Sequence, residues 1–189
     1  GVPLAELDMS GEPPTELVLA GPDRVVVTEG DDLDIEVSGD TDAVAALRFS
    51  LSDETLAISR ESDWKGSGIA TIRVTTPSLT TLVLAGSGDI DAERMSGAAN
   101  VTVAGSGTVK IARLEAESLD LTIAGSGDIT ASGSAGSLDL TVAGSGKAAM
   151  ANLEVDRAEV SIAGSGDAEF ASDGPVEASI MGSGTVTVN

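Results

Sequence analysis

The sequence predicts an all-β protein: a single-stranded, right-handed parallel β-helix, or solenoid, with rungs of 18–20 residues. Three observations predict it. The tripeptide Gly-Ser-Gly begins at Gly86, Gly105, Gly125, Gly144, Gly164 and Gly182, at spacings of 19, 20, 19, 20 and 18 residues. Apolar residues stand at every second position on either side of each copy, the pattern of a strand with one buried face. A unit of this size cannot bury that face alone, so successive units must stack. Equivalent strands then form a parallel ladder with rungs about 4.8 Å apart, and the hand expected of parallel crossovers is right-handed.

Residues 1–75 are read as irregular N-terminal rungs and residues 76–189 as regular ones, all within a single domain spanning 1–189. Leu17–Val27 runs strand, Ala-Gly corner, strand, and Leu33–Gly39 repeats part of that order. Residues 41–48 are read as a short helix, and Leu56–Ile58 and Ile69–Val74 as strands. Gly66-Ser67-Gly68 lies 20 residues before Gly86, but polar Ser62–Lys65 precedes it, so it is read as a loop and not a regular corner. A separate N-terminal β-domain is the alternative.

In the regular part, Leu84, Val103, Ile123, Val142, Ile162 and Ile180 stand two residues before each corner. Leu82, Val101, Leu121, Leu140, Val160 and Ala178 stand four before. After the corner the alternation resumes with Ile90, Val109, Ile129, Ala148, Ala168 and Val186, then Ala92, Ile111, Ala131, Met150, Phe170 and Val188. Gly suits a corner because it tolerates φ > 0 and close backbone approach. Stretches such as Glu93–Gly97 and Ser132–Gly136 are expected to be looser connections. Helical repeats are excluded, because β-branched residues fill the apolar positions and Gly interrupts every unit.

The repeated apolar-x-apolar-Ala-Gly-Ser-Gly-Asp-Ile units at Gly86, Gly125 and Gly164, with the run Val25–Val37 and the strand Leu56–Arg60, resemble the putative auto-transporter adhesin, head GIN domain family of bacteria. The resemblance covers residues 15–189. It implies a right-handed parallel β-helix in an exported protein of the periplasm, outer membrane or cell surface, with adhesion as the function its name suggests. It brings no catalytic motif and no site residue.

Composition narrows the function further. The chain has 189 residues, 31 Asp+Glu against 10 Lys+Arg, a formal net charge of −21, no His, no Cys and no Tyr. That charge argues against a nucleic-acid partner, whose affinity depends on Lys and Arg. Without His or Cys there is no Ser-His-Asp or Cys-His pair, no zinc site of N/S type and no disulfide. No cofactor is expected. No apolar run approaches the roughly 20 residues of a membrane span. The chain begins with Gly1 and has no basic-then-apolar leader, so it is read as a processed or trimmed form.

Four candidate sites remain, each beside a plainer reading. Asp120, Asp139, Glu159 and Glu177 form one outward acidic column that would attract Ca²⁺, which prefers oxygen ligands. A solvated face explains the column as well, because these side chains can splay apart. Asp89, Asp128 and Asp167 follow alternate corners, with Thr108, Lys147 and Thr185 between them, which keeps like charges two rungs apart. Paired carboxylates suggest glycoside cleavage, but the only aromatics are Phe49, Trp64 and Phe170. Phe170 is assigned to the core and Trp64 to a polar loop. Thr102, Thr122, Thr141, Ser161 and Ser179 form a hydroxyl column that suits a β-ladder without further function. The favoured reading is a non-enzymatic exported interaction scaffold. The alternatives are a carbohydrate-processing enzyme and a cation-binding surface module. The last rung, ending at Val188-Asn189, has no helix or charged cap after it and is expected to pair with a second copy.

Overall fold

The computed structural model describes residues 1–61, 66, 68–77 and 79–189. It is an all-β solenoid of about six turns. Its strands are β1 (Glu16–Ala20), β2 (Arg24–Glu29), β3 (Asp34–Gly39), β4 (Leu47–Ser52), β5 (Thr55–Arg60), β6 (Ala70–Thr76), β7 (Leu79–Gly86), β8 (Asp89–Gly105), β9 (Thr108–Gly125), β10 (Asp128–Gly144), β11 (Lys147–Gly164), β12 (Asp167–Ser172), β13 (Val176–Gly182) and β14 (Thr185–Val188). One helix, α1 (Thr41–Ala46), lies between β3 and β4.

Each regular turn wraps three faces. Face one precedes the Gly-Ser-Gly corner, face two follows it, and face three joins face two to the next face one. The stretches expected to be loose connections are in fact the third face. Arg94–Gly97 pair with Arg113–Ala116, and Gly133–Ala135 pair with Leu114–Ala116 and with Leu153–Val155. The columns Leu79, Met95, Leu114, Leu153 and Ala135, Val155 supply its buried side chains. The irregular polar sequence hid this wall, because its apolar residues occur only once or twice per turn and break the period of two.

The predicted core columns are in register. On face one Leu56, Leu17, Leu82, Val101, Leu121, Leu140, Val160 and Ala178 stack in that order. On face two the order is Ile72, Val25, Ile90, Val109, Ile129, Ala148, Ala168 and Val186. All but the last member of each are buried, and they form one continuous core. Phe49 and Phe170 are both buried, one near each end of that core. A narrow tube filled by aliphatic columns needs few aromatics.

The glycines of the corner have separate reasons. Gly125 sits at φ +113, the left-handed region that L side chains avoid. Gly127 lies so close to the turn before it that a Cβ would stand 2.6 Å from the Gly107 carbonyl oxygen. Between them the Gly105 carbonyl accepts from the N–H groups of Ser126 (3.1 Å) and Gly127 (3.0 Å), which carries the ladder around the bend.

The N-terminal part departs from chain order. The turn β1–β2 is flanked by β5–β6 on one side and by β7–β8 on the other. The chain therefore leaves the stack after β2, returns as β5 and β6 outside the first turn, and crosses to β7 on its inner side. Leu33–Gly39 is not a further rung. Its strand β3 runs antiparallel to β6, from Asp34↔Thr75 to Gly39↔Ala70. Likewise β4 runs antiparallel to β5. Helix α1 ends at Ala46, two residues short of the predicted end, and Asp40 caps it by accepting from the N–H groups of Asp42 and Ala43, both at 3.1 Å. The antiparallel strands flank the stack at this end. Gly66 and Gly68 lie outside any strand, in the connection between β5 and β6. The rest of that reading, Ser62–Lys65 with Trp64 and Ser67, lies outside the described residues.

Candidate interaction faces

Three outward columns of face one run through all its strands, with Ser118, Ser137 and Arg157 in register at its far edge. The outermost runs Thr55, Glu16, Thr81, Asn100, Asp120, Asp139, Glu159 and Glu177. The second runs Ala57, Val18, Val83, Thr102, Thr122, Thr141, Ser161 and Ser179, and the third is Ala20, Ala85, Ala104, Ala124, Ala143, Ala163 and Met181. None of these positions holds Lys or Arg. From Ala104 onward the result is an exposed surface of acids, hydroxyls and methyl groups, while Glu16, Val18, Ala20, Thr81, Val83 and Ala85 in the earlier turns are half-buried.

Face two is different, because its outward charges alternate. One column reads Thr71, Arg24, Asp89, Thr108, Asp128, Lys147, Asp167 and Thr185. Arg24 reaches diagonally to Asp91 at 2.6 Å. Face three adds Arg94, which bridges Glu115 at 2.9 Å and Glu29 at 3.5 Å. Exposed pairs of this kind contribute little to stability, but they neutralise faces two and three locally. The acids of the first face-one column have no base in these three columns.

The four predicted acids are thus brought into one column and remain exposed. They do not converge: among the described residues no group of three or more Asp or Glu is placed to hold a metal ion. Asp89, Asp128 and Asp167 also fall in register, separated by Thr108 and Lys147 as the sequence predicts. Phe170 is core. The concavities are shallow and open. One of about 430 Å³ is lined by Ser137, Asp139, Arg157, Glu159, Pro175 and Glu177, and one of about 340 Å³ by Lys147, Ala149, Asp167, Glu169, Thr185 and Thr187. Neither is a closed cleft with a buried carboxylate.

Among the described residues the one buried charged pair lies at the corner of the first turn, and sequence reading missed it. Asp23, fully buried, takes the place of the second corner Gly. Arg60 donates to it through Nε at 2.9 Å and through a terminal nitrogen at 2.6 Å, and the Ala70 N–H donates at 2.9 Å. Arg60 also donates to the Gly68 carbonyl. The hydrogen bond to Asp23 is the main reason the Arg60 pKa is raised. The signal was present, since Gly21-Pro22-Asp23 aligns with Gly-Ser-Gly, but nothing in the sequence told that Arg60 would meet it.

Comparison with known proteins agrees with this architecture. The family described as "Putative auto-transporter adhesin, head GIN domain" matches residues 13–189. The chain belongs to that family. Among solved structures, this head GIN domain chain is similar to a "putative adhesin" of Bacteroides fragilis, with 20% identity, a TM-score of 0.81 and coverage of 94% of this chain and 93% of that one. It is also similar to a "putative lipid binding protein" of Parabacteroides distasonis, at 21% identity, TM-score 0.64 and 94% and 93% coverage. A "putative adhesin" of Parabacteroides merdae follows at 16% identity, TM-score 0.60 and 94% and 92% coverage. At these identities the likeness is one of fold. No curated protein matches the chain. Among the described residues no helix is long and apolar enough to cross a membrane.

Proposed function

We propose that this head GIN domain chain is a non-enzymatic, exported bacterial interaction scaffold that works in the periplasm, at the outer membrane or on the cell surface. It binds through face one and not in a pocket. The observation that carries this is the flat register of acid, hydroxyl and alanine columns over successive turns, with no base among them. A rigid ladder holds such groups at fixed spacing, so binding orders few side chains and costs little entropy. The family and neighbour names, which speak of adhesion, support the same reading. The open grooves favour surface contact over enclosed catalysis, since small-molecule sites are usually concave and largely enclosed. A nucleic acid is not the partner, because the three face-one columns hold no Lys or Arg for its phosphates and Arg157 beside them is a lone cation.

The test is binding of the purified chain to a glycan array, to envelope proteins and to lipid vesicles, the last because one neighbour carries a lipid-binding name. The wild type is compared with the Thr122→Lys/Thr141→Lys double variant, alongside a polysaccharide-degradation screen. Selective binding that the double variant loses, with its circular dichroism unchanged, is the expected result. Equal binding by the two proteins would remove face one as the surface. Turnover of a polysaccharide would overturn the non-enzymatic reading.

A further inference from the structure

Arg157 departs from the habit of the other outward arginines. Arg24 and Arg94 each reach to the acid two residues beyond their in-register neighbour on the next turn, Asp91 at 2.6 Å and Glu115 at 2.9 Å. Arg157 has such an acid on each side, Asp139 beyond Ser137 and Glu177 beyond Pro175. Among the described residues it pairs with neither, and it makes no other hydrogen bond or ion pair. With Glu159 these residues form a grid on the outward side of β10, β11 and β13. Its points are about 4.8 Å apart from turn to turn and about 6.6 Å apart along each strand. The grid lines the open groove of about 430 Å³ at the far edge of face one. Ser137, Arg157 and Pro175 also line a second hollow of about 380 Å³, on the face-three side. Both volumes fall within the range of about 300–1,000 Å³ usual for small-molecule sites.

We propose that this groove binds a neutral, hydroxyl-rich glycan laid across β10, β11 and β13, with Arg157 at its centre. The inference rests on the face-one reading above and names the ligand class and the place. A guanidinium only donates hydrogen bonds and an ionised carboxylate only accepts them. A ligand that satisfies both needs donors and acceptors side by side, which is what a sugar hydroxyl offers. A charged ligand of either sign meets repulsion in the grid. An anion drawn to Arg157 faces Asp139, Glu159 and Glu177, and a cation drawn to those acids faces Arg157. Uncharged hydroxyls meet no such opposition, and their hydrogen bonds to charged groups are the strong kind. Because Arg157 holds no ion pair, none has to break when the ligand arrives. Ser137, half-buried, adds a hydroxyl, and the exposed Pro175 ring adds an apolar surface for the C–H side of a sugar.

Hexamers of glucose, mannose and N-acetylglucosamine, titrated at millimolar concentration into the isotope-labelled chain, test the groove by NMR. At least one is expected to shift the backbone amides of Ser137–Asp139 and Arg157–Glu159. Arg157→Ala should weaken that binding about tenfold or more, because hydrogen bonds to a charged group are lost. Lys147→Ala, in the face-two groove, should leave it unchanged. Added salt should change the wild-type affinity by about twofold at most, because no charge is neutralised on binding. Sugar binding that survives Arg157→Ala but is lost in the Thr122→Lys/Thr141→Lys variant overturns the groove and leaves face one as the surface. Binding to envelope proteins with no response to any of the three sugars overturns the ligand class and again leaves face one. A salt-sensitive, Arg157-dependent response to phosphoethanolamine, with none to the sugars, overturns the neutral ligand. Sugar binding lost only in Lys147→Ala overturns the groove and the face-one reading together.

Discussion

Asp23 and Arg60 lie 37 residues apart and meet as a two-pronged ion pair in the core of the first corner, at 2.6 and 2.9 Å. The geometry of the other corners explains why the pair can exist. A Cβ on the second corner Gly always points at the backbone of the turn before it, as at Gly127. Before Asp23 stands the turn β5–β6, whose connection runs over residues 61–69, where the regular corners leave two residues between their strands. The Asp23 carboxylate occupies the space and accepts the Ala70 N–H that the ladder would otherwise leave unpaired. The pair therefore adds a side-chain link at this corner to the ladders β1–β5 and β2–β6 that join the out-of-order turn to the stack.

Removing one partner leaves a buried, uncompensated charge or donor. Asp23→Ala and Arg60→Ala should each lose about 3–5 kcal/mol in urea unfolding. The double variant Asp23→Asn/Arg60→Met should lose less than the two single losses added together. The raised pKa of Arg60 gives a contribution fully present below its ordinary value and lost only as pH rises through the folded value. The arginine side of the pair is thus constant around neutral pH. Single variants within about 1 kcal/mol of wild type would contradict the role assigned to the pair.

Gly125→Ala should lose at least about 2 kcal/mol, combining a left-handed φ with contact to the turn before. A Cβ there would stand 2.7 Å from the Gly105 oxygen. Gly11→Ala meets nothing within 4 Å and should stay within about 0.5 kcal/mol. Equal midpoints in thermal melts would show that the corners tolerate side chains.

Leu121 is buried in the middle of its column, and Leu121→Ala should lose about 2–5 kcal/mol. Met9, 38% exposed, should show little change as Met9→Ala. Chemical denaturation of both variants compares the two directly.

Neighbouring acids in the face-one column repel by about 0.9 kcal/mol per pair at 4.8 Å in water. Asp139→Asn relieves two such contacts, to Asp120 and Glu159, and should raise stability by up to about 1 kcal/mol at low ionic strength. The gain should fade in high salt as the charges are screened. A destabilised variant would mean that Asp139 is held by something other than solvent.

Because the column does not converge on a point, millimolar Ca²⁺ should shift the melting temperature no more than Mg²⁺ at the same concentration. A selective rise with Ca²⁺ that Asp139→Asn abolishes would restore a cation site.

Much of the regular part was legible because its period is short and its chemistry repeats. Leu121, Val101 and Leu140 announce a buried face by alternation alone, and the register between turns follows from aligning Gly105 with Gly125. The third face was not legible, since Met95, Leu114 and Leu153 stand singly among polar residues. Nor was the place of Leu33–Gly39, whose alternation is the same in an antiparallel cap strand as in a rung. The acidic column was legible, and its splayed, solvated state is a matter of side-chain direction that spacing does not carry.

The sequence by itself determined the solenoid, the positions of its corners and the absence of His and Cys chemistry, because these depend on local period and composition. Only the tertiary structure decided the order of the first turns, the antiparallel placement of β3 and β4, and the meeting of Asp23 with Arg60. Those depend on which strand edges are free when the chain returns, a property of the assembled ladder that no stretch of residues encodes alone.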